Sequence, residues 1–484
     1  MPKVYVPYEL PTAGGAGYRP TSIPENPGFG GPPVEYPLPQ GATSPLATLP
    51  DWFTFDPQVV VDKDGVAVGN TAEITGTPTK EVAENITMTC DKPAVNGFLV
   101  KDDCKYTIKD TTIDFKGDGV DDFSGYGAGV QAASSSTVIL ENTKITTTGV
   151  IRPCTSATDY STLIVRNCEL DSNGGVIDRS APAGPGSGKA MKEPPVGLGL
   201  GGNCRTHLSV GDSHTYFYDS KIYAEGWAAL STDACFGDLY LEANRCDIQV
   251  RDIGYASYCD HGANIVLNDS HLKATIGVII AGKCRETLNR CTVESDHYAA
   301  MIHSVFGNTH EVSEMTVSGG SMKSGKECIL LKSQNVYLDL RDVDMTSDCG
   351  CLIRSVINDD FCATELPPYE EVYGYKVVLS DMDVAGDIIH EDSQRVMAVS
   401  MKHVKLHGAI ENAVILTDPA TTWVATGDSH VSITAFGPMG TIDALPGVTI
   451  YAKSDVLQPG TTDLPSGGKL VVEGKAPFMV DLAS

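Results

Sequence analysis

A short template recurs along the chain and constrains its fold more than any other feature. It reads apolar residue, any residue, polar turn-former, small or apolar residue, any residue, apolar residue. Most successive copies begin 21 to 29 residues apart, which is the period of a solenoid, in which stacked repeats share one core. The segments that carry it are Leu140–Ile145, Val165–Leu170, Phe217–Ile222, Asn244–Ile248, Leu267–Leu272, Leu288–Val293, Val317–Met322, Leu340–Met345, Leu379–Val384 and Met401–Leu406.

The segments between the copies indicate β-strands. They are short alternating runs bounded by Gly, Asp and Ser, and no sustained 3.6-residue apolar period occurs. The Leu-x-x-Leu-x-Leu frame of leucine-rich repeats is missing. Small residues at the fourth template position, such as Cys168 and Ser220, suit identical turns that stack inside a narrow tube. The sequence therefore predicts an all-β fold built as a parallel β-helix solenoid.

Composition divides the chain into four predicted parts. Residues 1–50 form an irregular Pro/Tyr-rich arm, because the frequent prolines prevent a helix and make a poor strand; a disordered tail is the alternative. Residues 51–124 form an N-terminal cap and the first coils, and residues 125–410 form the β-helix. Residues 411–484 form a β-rich C-terminal cap or an oligomerisation segment.

The charge of the chain limits its partners. Lys and Arg number 35 and Asp and Glu number 62, so the formal net charge is 35 − 62 = −27. A surface this acidic repels phosphate backbones, so we expect no nucleic-acid partner. The apolar runs are strand-sized, well below the roughly 20 residues of a membrane-spanning helix, so we expect no membrane partner.

The N-terminal residues and the cysteines bear on localisation. The N-terminus lacks a basic segment followed by an apolar one, so we expect a cytoplasmic protein, with a processed secreted form as the alternative. The 14 cysteines are then mostly reduced and buried. Cys349 and Cys351 form a close pair, but zinc-site spacing is missing, so we expect buried thiols there.

The repeat also predicts a column of polar side chains. Counting 12 or 13 residues on from the third template position reaches the end of an apolar strand in each coil, and stacked strands lie about 4.8 Å apart. Gly282 leaves a space in this column. The residues reached are Tyr258, His303, Lys332 and Arg354, with Asp233, Asp260, His261 and Lys283 in the same turn and Arg152 after a comparable earlier strand.

Clustered cations in an acidic chain point to an anionic ligand. Stacked Lys and Arg side chains repel each other unless an anion lies among them, and Arg holds a carboxylate bidentately. The alternative is structural: acidic neighbours neutralise each cation. The predicted substrate-binding residues are Lys332, Arg354, Arg152, Asp233 and Asp260. The predicted catalytic residues, which bind or move a proton, are His303, Tyr258, Lys283 and His261.

No metal or cofactor is predicted. The acidic turn Gly117–Asp122 has the composition of a calcium loop but lacks the Glu at its twelfth position, so a plain acidic turn is expected. The Gly-rich segment Gly197–Gly202 precedes no helix and is not a dinucleotide loop.

At the level of the repeat, residues 125–410 resemble the right-handed parallel β-helix superfamily of pectate lyases, polygalacturonases and phage tailspikes. The resemblance is architectural: of the polygalacturonase sequence blocks, only Asp260-His261-Gly262 is similar to one, the Gly-His-Gly block. It implies a right-handed, single-stranded helix with a groove along one sheet and frequent action on sugar acids.

Together these observations predict an enzyme of the lyase or isomerase class. It would bind an anionic, uronate-like or other carboxylate substrate in a groove and act by proton abstraction, followed by elimination or isomerisation. The alternative is a non-catalytic trimeric β-helix fibre or glycan-binding module. Apolar outer strands and the Pro/Tyr-rich arm favour a homo-oligomer, with a trimer expected.

Overall fold

The computed structural model describes most of the chain beyond residue 55. The predicted arm lies outside the described residues, as do His261 and most of the acidic turn at 117–122. Two compact units are present, whose described parts run from residue 56 to 285 (the N-terminal unit) and from 286 to 476 (the C-terminal unit). The described ranges are 56–117, 119, 125–149, 152–174, 205–233, 238–260, 262–304, 312–358, 374–435 and 437–476.

Within these ranges the chain is all-β, as predicted: it forms strands β1 to β39 and no helix. It follows that the described residues contain no helix able to cross a membrane.

The N-terminal unit contains short strands, most of them three to seven residues long. They are β1 Asp56–Asp62, β2 Gly65–Val68, β3 Glu73–Thr75, β4 Val82–Glu84, β5 Thr87–Cys90, β6 Val95–Val100, β7 Lys105–Lys109, β8 Thr112–Lys116, β9 Val130–Ala132, β10 Thr137–Glu141, β11 Lys144–Thr148, β12 Thr155–Ala157, β13 Thr162–Arg166, β14 Glu169–Asn173, β15 Arg205–Val210, β16 His214–Tyr218, β17 Lys221–Ala224, β18 Trp227–Asp233, β19 Leu239–Asn244, β20 Asp247–Val250, β21 Gly254–Cys259, β22 Ala263–Asn268 and β23 His271–Ala281.

The C-terminal unit contains several longer strands. Its strands are β24 Arg285–His303, β25 Val312–Ser324, β26 Ile329–Lys332, β27 Asn335–Arg341, β28 Asp344–Ser347, β29 Cys351–Val356, β30 Gly374–Ala385, β31 Asp387–His390, β32 Val396–His407, β33 Ile410–Thr417, β34 Thr422–Ala425, β35 Ser429–Ile433, β36 Thr441–Ala444, β37 Thr449–Ser454, β38 Gly460–Asp463 and β39 Lys469–Gly474.

Strand pairing in the N-terminal unit follows a period of three. Strand β10 pairs in parallel with β7 and β13, β11 with β8 and β14, and β12 with β9 and β15. From β4 to β20, each strand therefore lies beside the strand three places later in the chain. This arrangement is compatible with a β-helix architecture, in which each turn of the chain adds one strand to each of three parallel sheets.

Parallel pairing continues past residue 410, where the sequence predicts a cap. Strand β33 pairs with β35, β35 with β37 and β37 with β39, all in parallel. Strand β38 then pairs with β39 in antiparallel fashion.

The third template position has a left-handed backbone in all ten copies, six of them between strands and four within the longer strands β24, β25, β30 and β32. Its φ lies between 50° and 69°, a range that Asn, Asp and Gly adopt more readily than other residues. Neighbouring turns are bonded to each other: the Asn167 amide donates to the Asn142 side-chain oxygen at 2.8 Å, and the Asn142 amide donates to Asp110 at 3.1 Å. The residues are Asn142, Asn167, Asp219, Arg245, Asp269, Arg290, Gly319, Asp342, Asp381 and His403.

The fourth template position is small because the turns approach closely. The backbone N–H of Cys168 donates to Ser220 Oγ, and that of Cys246 donates to Ser270 Oγ. At Gly320, whose φ is 82°, a Cβ atom would lie 2.0 Å from the carbonyl oxygen of Cys291. Small residues at this position therefore lie where neighbouring segments of the chain approach closely.

The eleven cysteines in the described residues are thiols without disulfides, and nine of them are buried. Burial raises the pKa of Cys168 and Cys246 to about 11, so these thiols stay protonated near neutral pH. Cys349 is exposed whereas Cys351 is buried. Among the described residues no group of three His, Cys, Asp or Glu side chains is arranged to hold a metal ion.

Candidate functional site

The predicted polar column is only partly in register. His303 and Lys332 are aligned partners on neighbouring strands, as predicted. Arg354 is aligned with Leu330, so it lies two residues away from the predicted level of Lys332. The 12-residue spacing before Arg354 accounts for one residue of this shift, and the altered turn length before β29 for the rest.

His303 and Lys332 are buried, at 0% and 1% exposure. Ser304, beside His303, donates its backbone N–H to the Lys332 carbonyl, and the Asn358 side chain donates to the Ser304 carbonyl at 2.9 Å. These residues therefore occupy the packed interior of the C-terminal unit, where a solute reaches them only after a rearrangement.

Arg354 is partly exposed and is held by two carboxylates. Its Nη1 donates to Glu327 at 2.9 Å, and its Nε and Nη2 donate to the two oxygens of Glu391 at 2.8 to 3.1 Å. Hydrogen bonds to Glu327 and Glu391 raise the pKa of the Arg354 guanidinium above its ordinary value. This is the neutralisation by acidic neighbours that the structural alternative describes.

In the N-terminal unit, Tyr258 is also off its predicted level, because its aligned partner is Ile279 and not Gly282. Its ring is buried and stacks on Tyr255 with centroids 5.6 Å apart. The hydroxyl donates to Asp260 at 3.4 Å, and burial raises the pKa of Tyr258 well above its usual value. A phenol in this setting stays protonated near neutral pH.

Arg152 has a structural environment. Its guanidinium is fully buried and donates to the backbone carbonyls of Lys92, Lys116, Gly117 and Val95 at 2.6 to 3.0 Å. These bonds satisfy carbonyls from several turns at once.

The structure says less about three other predicted site residues, Lys283, Asp233 and His261. Lys283 is half-buried, and its carbonyl accepts the backbone N–H of Gly262. Asp233 ends strand β18, but its side chain lies outside the described part of the chain, as does His261.

An open groove of about 690 Å³ lies in the C-terminal unit, lined by residues at the end of the predicted β-helix and in the segment predicted as a cap. Aligned strands build it: Glu411 on β33 is the partner of His430 on β35, which is the partner of Tyr451 on β37. Its lining comprises His390, Glu391, Asp392, Ser393, Arg395, Val396, Glu411, Asn412, Ala413, Val414, His430, Val431, Ser432, Tyr451, Ala452, Lys453 and Glu473.

His430 is the exposed titratable group at the centre of this column. Its Nδ1 lies 3.1 Å from Glu411 Oε2, which also accepts the backbone N–H of His430 at 3.2 Å. The imidazole stacks on the Tyr451 ring with centroids 5.0 Å apart and planes 9° apart. A carboxylate on Nδ1 and a flat aromatic neighbour together fix the ring and leave Nε2 for a ligand.

A buried ion pair lies within the groove lining. Arg395 Nη1 donates to Asp392 Oδ2 at 3.1 Å, and both side chains are almost fully buried. The Tyr375 hydroxyl donates to the same carboxylate at 2.6 Å and accepts the backbone N–H of Ser333 at 3.0 Å. The charges of Arg395 and Asp392 therefore neutralise each other.

The sequence carried only a weak signal for this site. Ile410–Ile415 matches the six-residue template by residue type, and its third residue, Asn412, has φ 58° like the other copies. It begins only 9 residues after Met401, and Ile410 pairs with Ile388, so it is not the next coil of the repeat.

Comparison with known proteins adds no family to these observations: no family model matches the chain, and no significant relative appears among curated proteins. The parallel, hydrogen-bonded strands are compatible with a β-helix architecture.

Proposed function

We propose that the chain winds as a right-handed, single-stranded parallel β-helix and acts as a lyase or isomerase on a carboxylate substrate bound in the C-terminal groove. The observation that carries the proposal is His430, an exposed imidazole with its Nδ1 on Glu411 and its ring on Tyr451. A base oriented by a carboxylate within an open pocket is the arrangement that general base catalysis requires.

Three of the four carboxylates in the groove lining are paired with an arginine or with His430, which leaves Lys453 as the cation that an anionic, hydroxylated substrate would meet. Arg354 binds Glu391, Arg395 binds Asp392, and His430 binds Glu411. Lys453 and Glu473 form no ion pair with any residue that the structure describes. Lys453 is then available for a substrate carboxylate, and Glu473 for substrate hydroxyl groups.

The proposed chemistry begins at the carbon next to the substrate carboxylate. His430 Nε2 takes the proton from this carbon, and Lys453 stabilises the negative charge that develops on the carboxylate. The electron pair left on carbon either expels a leaving group from the adjacent carbon, which is elimination, or takes up a proton again, which is isomerisation. The Tyr451 hydroxyl, stacked beside His430, is the proposed proton donor.

This proposal keeps the reaction predicted from the sequence but assigns the role of general base to His430 instead of His303 or Tyr258. His303, Lys332 and Tyr258 are buried, so we assign them no direct contact with substrate. The homo-oligomeric state, with a trimer favoured, and the cytoplasmic localisation stay predictions.

A second candidate, glycan binding without catalysis, is favoured by a tyrosine patch in the N-terminal unit. Tyr216 and Tyr240 lie with ring centroids 5.7 Å apart, and His214 packs edge-on against Tyr240 at 6.1 Å. All three rings are partly exposed on neighbouring strands β16 and β19. Flat aromatic surfaces of this kind bind the apolar faces of sugar rings.

Deuterium exchange separates the two candidates. The full chain is incubated with galacturonate or glucuronate in D₂O, and NMR follows the proton on the carbon next to the carboxylate, with galactose as the neutral control. The enzyme proposal predicts loss of that proton signal or formation of an unsaturated product. Binding of both uronates and galactose with no exchange would favour the glycan-binding module.

A further inference from the structure

Glu391 lines the groove and forms an ion pair with Arg354, which is not part of the lining. Its side chain lines the groove and is 47% exposed, whereas Glu327, the other partner of Arg354, is 13% exposed. Backbone bonding anchors the main chain at this point, because the Glu391 N–H donates to the Ser355 carbonyl at 2.8 Å. The Glu391 carboxylate therefore has the freedom to leave Arg354 while its backbone stays in place.

The Arg354 guanidinium binds the Glu391 carboxylate in the way that it would bind a substrate carboxylate. Nε and Nη2 form a fork on the two Glu391 oxygens, while Nη1 remains with the more buried Glu327. Bidentate recognition of this kind is how arginine binds ligand carboxylates. The fork that faces Glu391 is thus a carboxylate site occupied by the protein itself.

We infer that Glu391 is an internal competitor, which a carboxylate ligand displaces from Arg354 when it binds in the groove. This inference rests on the proposed function, since it takes the groove as the ligand site. The displaced Glu391 turns to solvent at little cost because it is already half exposed. Arg354, predicted from the sequence as substrate-binding, then meets the ligand at the groove edge.

The competition predicts a gain of affinity on removing the competitor. Glu391→Gln should bind galacturonate about threefold to tenfold more tightly than the wild type, measured by calorimetry, because the ligand no longer displaces an ion pair. Galactose, which lacks the carboxylate, should bind both proteins equally. Asp219→Asn, which breaks the equally bidentate Arg245–Asp219 pair in the N-terminal unit, is the matched control and should leave both affinities unchanged.

A double-mutant cycle distinguishes displacement from a general change of charge. If the ligand moves onto Arg354, the gain from Glu391→Gln should vanish in an Arg354→Gln background; a general charge effect would persist there. Arg354→Lys, which keeps the charge but not the fork, should also weaken galacturonate binding. Circular dichroism confirms that each variant is folded.

The outcomes separate this inference from the proposed function. If the wild type binds galacturonate but Glu391→Gln binds it no more tightly, or the gain survives in Arg354→Gln, internal competition is wrong and the groove stands. If neither the wild type nor Glu391→Gln binds galacturonate, both ideas fall.

Discussion

The two ring nitrogens of His430 differ in their surroundings, and this difference is measurable. Because Nδ1 faces the Glu411 carboxylate at 3.1 Å, the neutral ring should carry its proton on Nδ1 and leave Nε2 as the basic nitrogen. Nitrogen-15 NMR of labelled protein reports the tautomer directly. His407, whose exposed side chain forms no hydrogen bond with any described residue, should show the ordinary solution mixture of tautomers. A proton on Nε2 of His430 would argue against its role as base.

A second histidine, His207, should make the stability of the N-terminal unit depend on pH. It is fully buried between Thr155 and Ser209, and burial lowers its pKa to about 3 from the ordinary 6.5. Between these pH values the unfolded chain binds a proton that the folded protein does not. The stability contributed by the neutral ring is therefore complete above pH 6.5 and is lost progressively as the pH falls towards 3.

Replacing the ring tests this dependence. His207→Gln should flatten the decline in the free energy of unfolding between pH 6.5 and 4, measured by urea titration at each pH. The exposed His403→Gln variant should retain the wild-type slope. An unchanged slope in His207→Gln would show that other groups cause any acid instability.

At the scale of the element, the third template position marks where one strand segment gives way to the next. Turn positions were predictable because the left-handed backbone favours Asn, Asp and Gly, and these residues recur in the template. Arg245, Arg290 and His403 also occupy this position, and there the repeat rather than the residue type gave the signal. Strand register at the other turns was less predictable, because those turns vary in length and no residue type marks them.

The close turn at Gly320 gives a sharp stability prediction. Gly320→Ala would place a methyl group 2.0 Å from the Cys291 carbonyl on a backbone with φ 82°, so we expect a loss of about 2 kcal/mol or more. Gly427→Ala is the control, since its nearest neighbour would be a side-chain atom at 3.5 Å. Thermal unfolding of the two variants measures the difference, and equal melting temperatures would contradict the close stacking at Gly320.

For the whole molecule, the all-β class and the β-strand repeat followed from the sequence, while the location of the groove did not. Counting residues along the repeat placed His303 beside Lys332. It gave no information on the burial of these two side chains, which depends on what packs over a strand. Arg354 illustrates the same limit, since its carboxylate partners Glu327 and Glu391 come from separate turns of the chain. The groove was missed because residues 411–484 were interpreted as a cap, and no residue pattern in them marks a groove.

Assembly is a prediction at this scale. Strands β6, β15 and β21 are buried at every position within the single chain, so the expectation of an oligomer rests on the sequence pattern and on the Pro/Tyr-rich arm. We expect a homo-oligomer, a trimer by analytical ultracentrifugation, and weaker association after deletion of residues 1–45. A monomer at micromolar concentration for the full chain would refute this expectation.

The most direct test of the central claim compares two exposed histidines that each bind a carboxylate through Nδ1. His430 binds Glu411 in the groove, and His403 binds Asp381 on a turn outside the groove lining. In the D₂O exchange assay, His430→Ala should lower the rate of proton exchange on the reactive uronate by roughly 10²–10⁴-fold, whereas His403→Ala should keep the wild-type rate. Wild-type exchange in folded His430→Ala would contradict the proposal that this groove performs the chemistry.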